Sequence, residues 1–339
     1  MEKAEHGKSA LCALDKLGNS VDFRNLTEAG SILALLALKG VGRTTARRVL
    51  FHASQPASIE SLSSPDLPDS VRDPAAVSEA YEYADEVLQK SKANGIRTLT
   101  IFDQDYPAIL RSIDDPPLLL HTKGDTSLLT HWPAVAIIGT REPTPYGERS
   151  ARRIAKTFAE HQISVVSGLA IGCDAAAHRG CLDGEGRTVA VLAHGLDSIY
   201  PAENRELADD ILSHSGCLVS EYEIGLKPMR NSFVDRNRLQ SGFAGALVLI
   251  EASVSSGSMH TVRFAQKQKR LIACVQHPER YDQEQIQGNR KLLEEHIAIP
   301  LATAEDVLGV VNRLRAMDPA ALAAATSSSD RAANQSSMF

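Results

Sequence analysis

Val135-Ala136-Ile137-Ile138-Gly139-Thr140-Arg141 is the stretch that decides the fold. A short apolar run that stops at glycine reads as a buried strand ending in a tight turn. The arrangement recurs twice. Ile163–Ser167 runs into Ser167-Gly168-Leu169-Ala170, and Leu247–Glu251 leads to Ser256-Gly257-Ser258. Further strand-like runs lie at Val189–Ala193, Cys217–Ser220 and Leu271–Val275. Helical patterns separate them at Tyr146–His161, Cys173–Asp183, Asn204–His214, Asp235–Phe243 and Ser258–Lys269. Near-continuously apolar strands alternating with helices predict a mostly parallel sheet covered on both faces, with right-handed crossovers. The expected fold class is α/β: a Rossmann-like, doubly wound sheet, preceded by a small helical domain.

In an open parallel sheet the C-terminal ends of the strands share one edge, and ligands bind there. The three glycine turns therefore meet at one rim. Backbone N–H groups in such turns face phosphate oxygens, and a Cβ would hold those oxygens away. Gly139, Thr140 and Arg141 form the first candidate contact, with the Arg141 guanidinium placed to fork onto a phosphate. Ser167 and Gly168 form the second. Ser256, Gly257 and Ser258 form the third. Ser167 and Ser256 or Ser258 are suited to cap the helices that follow, whose N-termini favour anions. Arg236, Asn237 and Arg238 precede or open another helix and add charge. Glu221 and Glu251 end strands on the same edge. They are placed either to orient arginines or to act in catalysis.

Missing motifs narrow the chemistry. The chain has no GxxxxGK[ST] run and no GxGxxG after the first strand, so P-loop hydrolysis and a dinucleotide cofactor are not expected. It has no GxSxG elbow and no HExxH. His178, His194, His260 and His277 lack metal-ligand spacing, so neither metal nor cofactor is expected. The five cysteines (Cys12, Cys173, Cys181, Cys217, Cys274) are scattered and form no CxxC pair, as in a reduced cytoplasmic protein. No apolar stretch reaches the length of a membrane-spanning helix, about 18 residues or more, so no membrane is expected. The net charge of −6 argues against a uniformly basic surface but leaves room for a local basic groove.

Ahead of the sheet, Leu38-Lys39-Gly40-Val41-Gly42-Arg43 sets a tight turn between two apolar helical patterns. It resembles a helix–hairpin–helix motif, in which turn amides meet a DNA phosphate without reading sequence. Gly40, Gly42 and Arg43 are its candidate contacts. A purely structural hairpin with solvated arginines fits equally. Residues 54–75 hold Pro56, Pro65, Pro68 and Pro74 and read as a linker. A helix from Ala76 to Asn94 presents Tyr81, Ala84, Val87 and Leu88 on one face. The expected domains are a weakly ordered 1–27, a helical 28–95, a Rossmann-like 96–318 and a disordered tail 319–339.

Taken in order, several segments resemble the DNA-processing protein A (DprA/Smf) family. They are Tyr106-Pro107-Ala108-Ile109-Leu110, Asp115-Pro116-Pro117, Ile137-Ile138-Gly139-Thr140-Arg141 with Tyr146-Gly147, and Ser167-Gly168-Leu169-Ala170-Ile171-Gly172-Cys173-Asp174. Ala177-His178-Arg179-Gly180, Gly195-Leu196-Asp197 with Tyr200-Pro201, Ser220-Glu221-Tyr222, Phe233, Arg236-Asn237-Arg238 and Glu251-Ala252 with Ser256-Gly257-Ser258 follow. The resemblance implies a non-enzymatic binder of single-stranded DNA. By the same resemblance it protects incoming strands in natural transformation, displaces single-strand-binding protein, loads a RecA-type recombinase and forms a homodimer. Arg141, Ser167, Gly168, Arg236, Asn237, Arg238, Gly257 and Ser258 would face the DNA backbone, and Phe233 would either stack a base or belong to the core. Lys227 and Arg230 would either extend the groove or lie on a merely solvated loop. The chain departs from the family pattern at Met259-His260-Thr261-Val262, and no C-terminal winged-helix module is recognisable. A second reading keeps the same rim but makes it a nucleotide-binding enzyme or sensor of the phosphoribohydrolase type, with Glu251 or Glu221 assisting glycosidic cleavage and Arg141 gripping a phosphate.

Overall fold

The structure is a computed structural model and describes residues 27–52, 67, 73–278 and 282–326. The chain divides into two units, Met1–Thr100 and Ile101–Phe339.

Within the first unit, Thr27 caps α1 (Glu28–Ala37), its hydroxyl accepting from the Gly30 amide at 3.2 Å. Helices α1 and α2 (Arg43–His52) are joined by the glycine turn. Gly40 has φ +87°, a left-handed conformation that a side chain would strain. Val41 is buried between the two glycines, and its amide donates to the Leu38 carbonyl. Asp73 caps α3 (Pro74–Ala93), which buries Val77, Tyr81, Ala84 and Val87 and leaves Leu88 only half-buried. Strand β1 (Arg97–Thr100) closes this unit. The boundary between the units thus falls a few residues later than the sequence reading put it.

Short helix α4 (Ala108–Arg111) and strand β2 (Leu119–Gly124) open the second unit. The alternation then runs β3 (Ala134–Ile138), α5 (Pro145–Glu160), β4 (Ser164–Ser167), α6 (Cys173–Asp183), β5 (Thr188–Leu192), α7 (Arg205–Ser213) and β6 (Cys217–Ser220). It continues through α8 (Arg230–Gly242), β7 (Ala246–Leu249), α9 (Ser258–Lys267), β8 (Leu271–Val275), α10 (Gln287–Glu294), β9 (Ile299–Leu301) and α11 (Ala304–Ala316). The strand order in this unit is β2-β6-β5-β4-β3-β7-β8-β9. Strand β2 pairs antiparallel with β6, and the remaining pairs are parallel. The doubly wound, mostly parallel sheet is as the apolar runs foretold.

Every residue of β3, β4, β5, β6 and β7 is buried, as expected of strands covered on both faces. One side of the core packs Val135, Ile137, Val165 and Val248 against Phe158, Ala155 and Ala177 of the helices and Val310 and Leu314 of α11. Aliphatic packing of this density leaves little room to collapse around a missing ring. Cys173, Cys181, Cys217 and Cys274 are buried free thiols, and Cys12 lies outside the described residues. The expected disordered tail needs correction over its first part. Residues 319–326 are helical, and the buried Thr326 hydroxyl donates to the Gln268 carbonyl at 3.1 Å. The rest of that tail, and the N-terminal residues 1–26, lie outside the described residues.

Phe158 is fully buried at the centre of this packing. Phe158→Ala should lower the unfolding free energy by about 3–5 kcal/mol, read from the urea midpoint with an unchanged m-value.

Candidate nucleic-acid interface

Strand β3 has β4 on one side and β7 on the other. The chain leaves β3 toward β4 and leaves β7 toward β8, in the opposite direction. Their connections diverge, and a crevice opens beyond the carboxyl ends of the strands. The three glycine turns meet here and are hydrogen-bonded to one another. The Thr140 amide donates to the Glu251 carbonyl at 2.7 Å, and the Cys173 amide donates to the Thr140 carbonyl at 3.1 Å. The Ser258 hydroxyl donates to the Gly139 carbonyl at 2.8 Å, and the Asn237 amide side chain donates to the Gly257 carbonyl at 3.4 Å.

The Glu251 side chain is fully buried at this junction. One of its oxygens accepts from the Thr144 amide at 2.8 Å, the other from the Thr144 hydroxyl at 2.6 Å. Thr144 is also the N-cap of α5, its hydroxyl oxygen accepting from the Gly147 amide at 3.0 Å. A Cβ at Gly147 would lie 2.2 Å from the Glu251 carboxyl carbon, so only glycine lets the helix start sit on that carboxylate. Glu251 therefore holds the Gly139-Thr140-Arg141 loop and the first turn of α5 in place. Glu221 is committed elsewhere. Both of its carboxylate oxygens accept from Nη2 of Arg238 at 2.8 Å. Neither carboxylate is left open for the glycosidic cleavage that the second sequence reading required.

Two arginines expected to face a ligand are turned inward. Arg236 is buried, and its Nη1 donates to the Gly168 carbonyl at 2.9 Å and to the Val191 carbonyl. Asp174, also buried, accepts from the Gly168 amide at 3.1 Å. Burial pulls the Arg236 guanidinium below its ordinary range, opposed by the Asp174 charge. Burial likewise pushes the Asp174 carboxyl up, opposed by Arg236. A Cβ at Gly168 would meet Arg236 Nη1 at 1.9 Å, so this glycine makes room for an arginine and not for a phosphate. Arg238 is likewise buried. Besides Glu221, it reaches the Asp115 carbonyl at 2.8 Å and the Asp235 carbonyl at 2.7 Å.

The serines also differ from expectation. The buried Ser167 hydroxyl donates to the Ile137 carbonyl at 2.6 Å. Helix α6 takes Gly172 as its N-cap and α9 takes Gly257, each without a side-chain cap. The hydroxyls of Ser167 and Ser258 thus tie strand ends together, and that of Ser256 is turned inward.

Arg141 faces solvent. Its guanidinium carbon lies 5.3 Å from the centroid of the half-buried Phe233 ring. The Phe233 ring in turn lies 5.9 Å from that of Tyr200, tilted by 53°. Tyr200 is 46% exposed, and Met229 and Val234 flank Phe233 in the chain at 60% and 41%. The result is a wet ledge of one guanidinium and two rings, a pairing that favours both a cation and stacked bases. Lys227 and Arg230 are exposed on the segment that enters α8, and Asn237 and Gly257 lie on the solvent side of the α8–α9 junction. Sequence reasoning missed Tyr200 as a partner of Phe233 and Asp174 as the anchor of Arg236. Both stood in the quoted motifs, but nothing in the one-dimensional order pairs a β5–α7 loop with α8. Gly40 and Gly42 are exposed in the first unit's hairpin, with Arg43 half-buried at the start of α2. Among the described residues no group of three or more His, Cys, Asp or Glu is placed to hold a metal. No described helix is long and apolar enough to cross a membrane.

Two predictions follow from the inward side chains. Glu221→Ala removes the buried partner of Arg238 and leaves it only the more exposed Asp115 carboxylate at 3.3 Å, so it should cost about 2–3 kcal/mol of folding stability, measured by denaturant titration. Buried His178, its Nδ1 2.7 Å from the Thr188 hydroxyl, is held down to about 3, and buried His121 to about 4, mainly by desolvation. Unfolded, each takes up a proton near the ordinary histidine value of 6.5. Stability from this source is constant above that pH and falls as the pH drops below it. By pH 5, above the ordinary carboxylate range, each imidazole should cost about 2 kcal/mol. Melting temperatures between pH 7.5 and pH 5 check this, and a flat profile contradicts it.

Residues 97–312 match the family described as DNA recombination-mediator protein A. The chain is 39% identical over 198 residues to Protein Smf of Synechocystis, a match covering 57% of this chain and 48% of that one. It is 36% identical over 222 residues to DNA processing protein DprA of Bacillus subtilis, covering 63% of this chain and 74% of that one. The chain thus spans about half the length of the first relative and three quarters of the second. The X-ray structure of DNA processing protein A from Streptococcus pneumoniae aligns with TM-score 0.68 and 29% identity, over 84% of this chain and 98% of that one. DNA processing protein A from Helicobacter pylori, whose structure describes its single-stranded DNA binding mode, aligns with TM-score 0.57 and 32% identity, over 65% and 95%.

Proposed function

Because this chain belongs to the DprA/Smf family of DNA recombination-mediator proteins, we propose that it binds single-stranded DNA along the rim of its doubly wound sheet. The observation that carries the reading is the exposed ledge of Arg141, Phe233 and Tyr200 at the mouth of the crevice. Bases stack on the two rings, which every base can do, so binding is indifferent to sequence. Arg141 takes a phosphate, with Thr140, Asn237 and Gly257 beside it and Lys227 and Arg230 extending the contact along the entry to α8. Arg236, Arg238, Ser167, Gly168 and Ser258 act beneath the surface, holding the turns in register. That the Helicobacter pylori relative is described as binding single-stranded DNA supports the choice of ligand.

On this reading the protein is a cytoplasmic recombination mediator. It coats incoming strands as a homodimer, displaces single-strand-binding protein and hands the strand to a RecA-type recombinase. Gly40, Gly42 and Arg43 are the corresponding proposed phosphate contacts of the first unit. The nucleotide-cleaving alternative is disfavoured, because Glu221 and Glu251 are both committed to holding the fold.

Fluorescence anisotropy of labelled poly-dT against duplex of equal length, at two salt concentrations, tests the proposal. Phe233→Ala should weaken poly-dT binding by about 1–3 kcal/mol at either salt. Arg141→Ala should also flatten the logarithmic salt dependence by about 0.7, the share of one single-strand phosphate contact. Equal affinity for duplex and single strand, or wild-type binding in the Phe233→Ala variant, removes the proposed ledge.

A further inference from the structure

Acidic residues number 42 in this chain of 339, yet none occurs from Ala252 to Pro278, a stretch long enough to hold several. That stretch begins at the third glycine turn of the rim and contains all of α9. His260, Arg263 and Lys267 stand three and four residues apart on this helix, so they line up on one face about 5–6 Å from neighbour to neighbour. All three are exposed, as is Lys269 just beyond the helix end. Arg263 lies 3.4 Å from the His260 ring nitrogen, and Arg263, Lys267 and Lys269 have no ion pair among the described residues. The fourth formal cation of the stretch, Arg270, faces inward and donates to the Ser241 carbonyl at 3.1 Å, so it is outside the row. The neighbouring helix α8 carries a single acid, Asp235.

The row is continuous with the rim. Gly257, the residue that caps α9, accepts the hydrogen bond from Asn237 of α8, and Phe233 lies one turn earlier on that same helix. On a chain of net charge −6, a helix face whose only formal charges are positive is a local field of the opposite sign. We propose that the outer face of α9 is a phosphate track that carries the DNA strand onward from the ledge, past Arg263, Lys267 and Lys269. This rests on the rim reading above. It adds that the footprint is longer than the crevice, and that part of the affinity is purely ionic. A nucleic-acid strand suits the face better than an acidic peptide does, because α9 begins at Gly257, which is bonded to Asn237 one helical turn from Phe233.

The test compares the wild-type full chain with the double variant Arg263→Gln/Lys267→Gln, both exposed positions, using oligo(dT) of about five and about twenty nucleotides. Circular dichroism first establishes that the variant is folded. For the twenty-mer the variant should bind about tenfold more weakly at low salt, with a logarithmic salt slope shallower by about 1.4, two contacts at 0.7 each. For the five-mer, which fits on the ledge alone, the two proteins should be equal. An unchanged twenty-mer slope overturns the track. So does an equal loss on both oligonucleotides, since the residues then act within the rim. Intact DNA binding with lost polyglutamate binding assigns the face to an acidic peptide instead. Failure of the wild-type protein to bind either oligonucleotide sinks the rim reading itself, and the track with it.

Discussion

A carboxylate without access to water sits where the sheet changes direction, and the rest of the site depends on it. Glu251 follows β7 by two residues, and its backbone carbonyl accepts from the amide of Thr140 on the loop after β3. Its side chain accepts twice from Thr144, which caps α5. One residue thus couples two neighbouring strands whose connections diverge, a loop and a helix start. Burying a carboxylate costs heavily unless hydrogen bonds replace the lost water, and here the main chain and a capping threonine do so. The crevice therefore has a fixed floor. What varies above it is limited to side chains that reach solvent.

Arg236 and Arg238 continue the same logic. Exposed, they would have given the rim a strong positive field. Buried, they brace it. Arg236 clamps the carbonyls of Gly168 and Val191 beside Asp174, and Arg238 bridges Glu221 to the carbonyls of Asp115 and Asp235. A guanidinium carries several donors in a fixed plane and so can satisfy several otherwise lonely carbonyls at once. At about 100° per residue, Arg236 and Arg238 leave α8 on nearly opposite sides, and each is buried against different partners, while Asn237 between them reaches Gly257 at the α8–α9 junction.

The sheet was legible because burial on both faces leaves an unmistakable trace: Val135–Ile138, Val189–Leu192 and Leu247–Leu249 contain no polar residue. The shared rim was legible too, since parallel strands end on one edge by topology alone. The direction in which a side chain points was not. Arg141 and Arg236 look alike in sequence, and only the buried Asp174, far away in the chain, decides that one is a brace and the other a contact. The same holds for Ser167 and Ser258, whose hydroxyls found carbonyls at the end of β3 and not helix amides. The ledge required three segments, the β3 loop, the β5–α7 loop and α8, to converge, and periodicity carries no information about that convergence. The described start of the tail was misread because its alanine-rich composition was taken for disorder, although alanine also has the highest helix propensity of any residue.

The composite origin of the ledge has one more consequence. Arg141, Tyr200 and Phe233 come from elements separated by three crossovers, so no fragment emerging early in synthesis contains the surface. Capture of a ligand there becomes a report on completed folding: a half-made or locally melted chain is silent, and only the finished domain can compete for a strand.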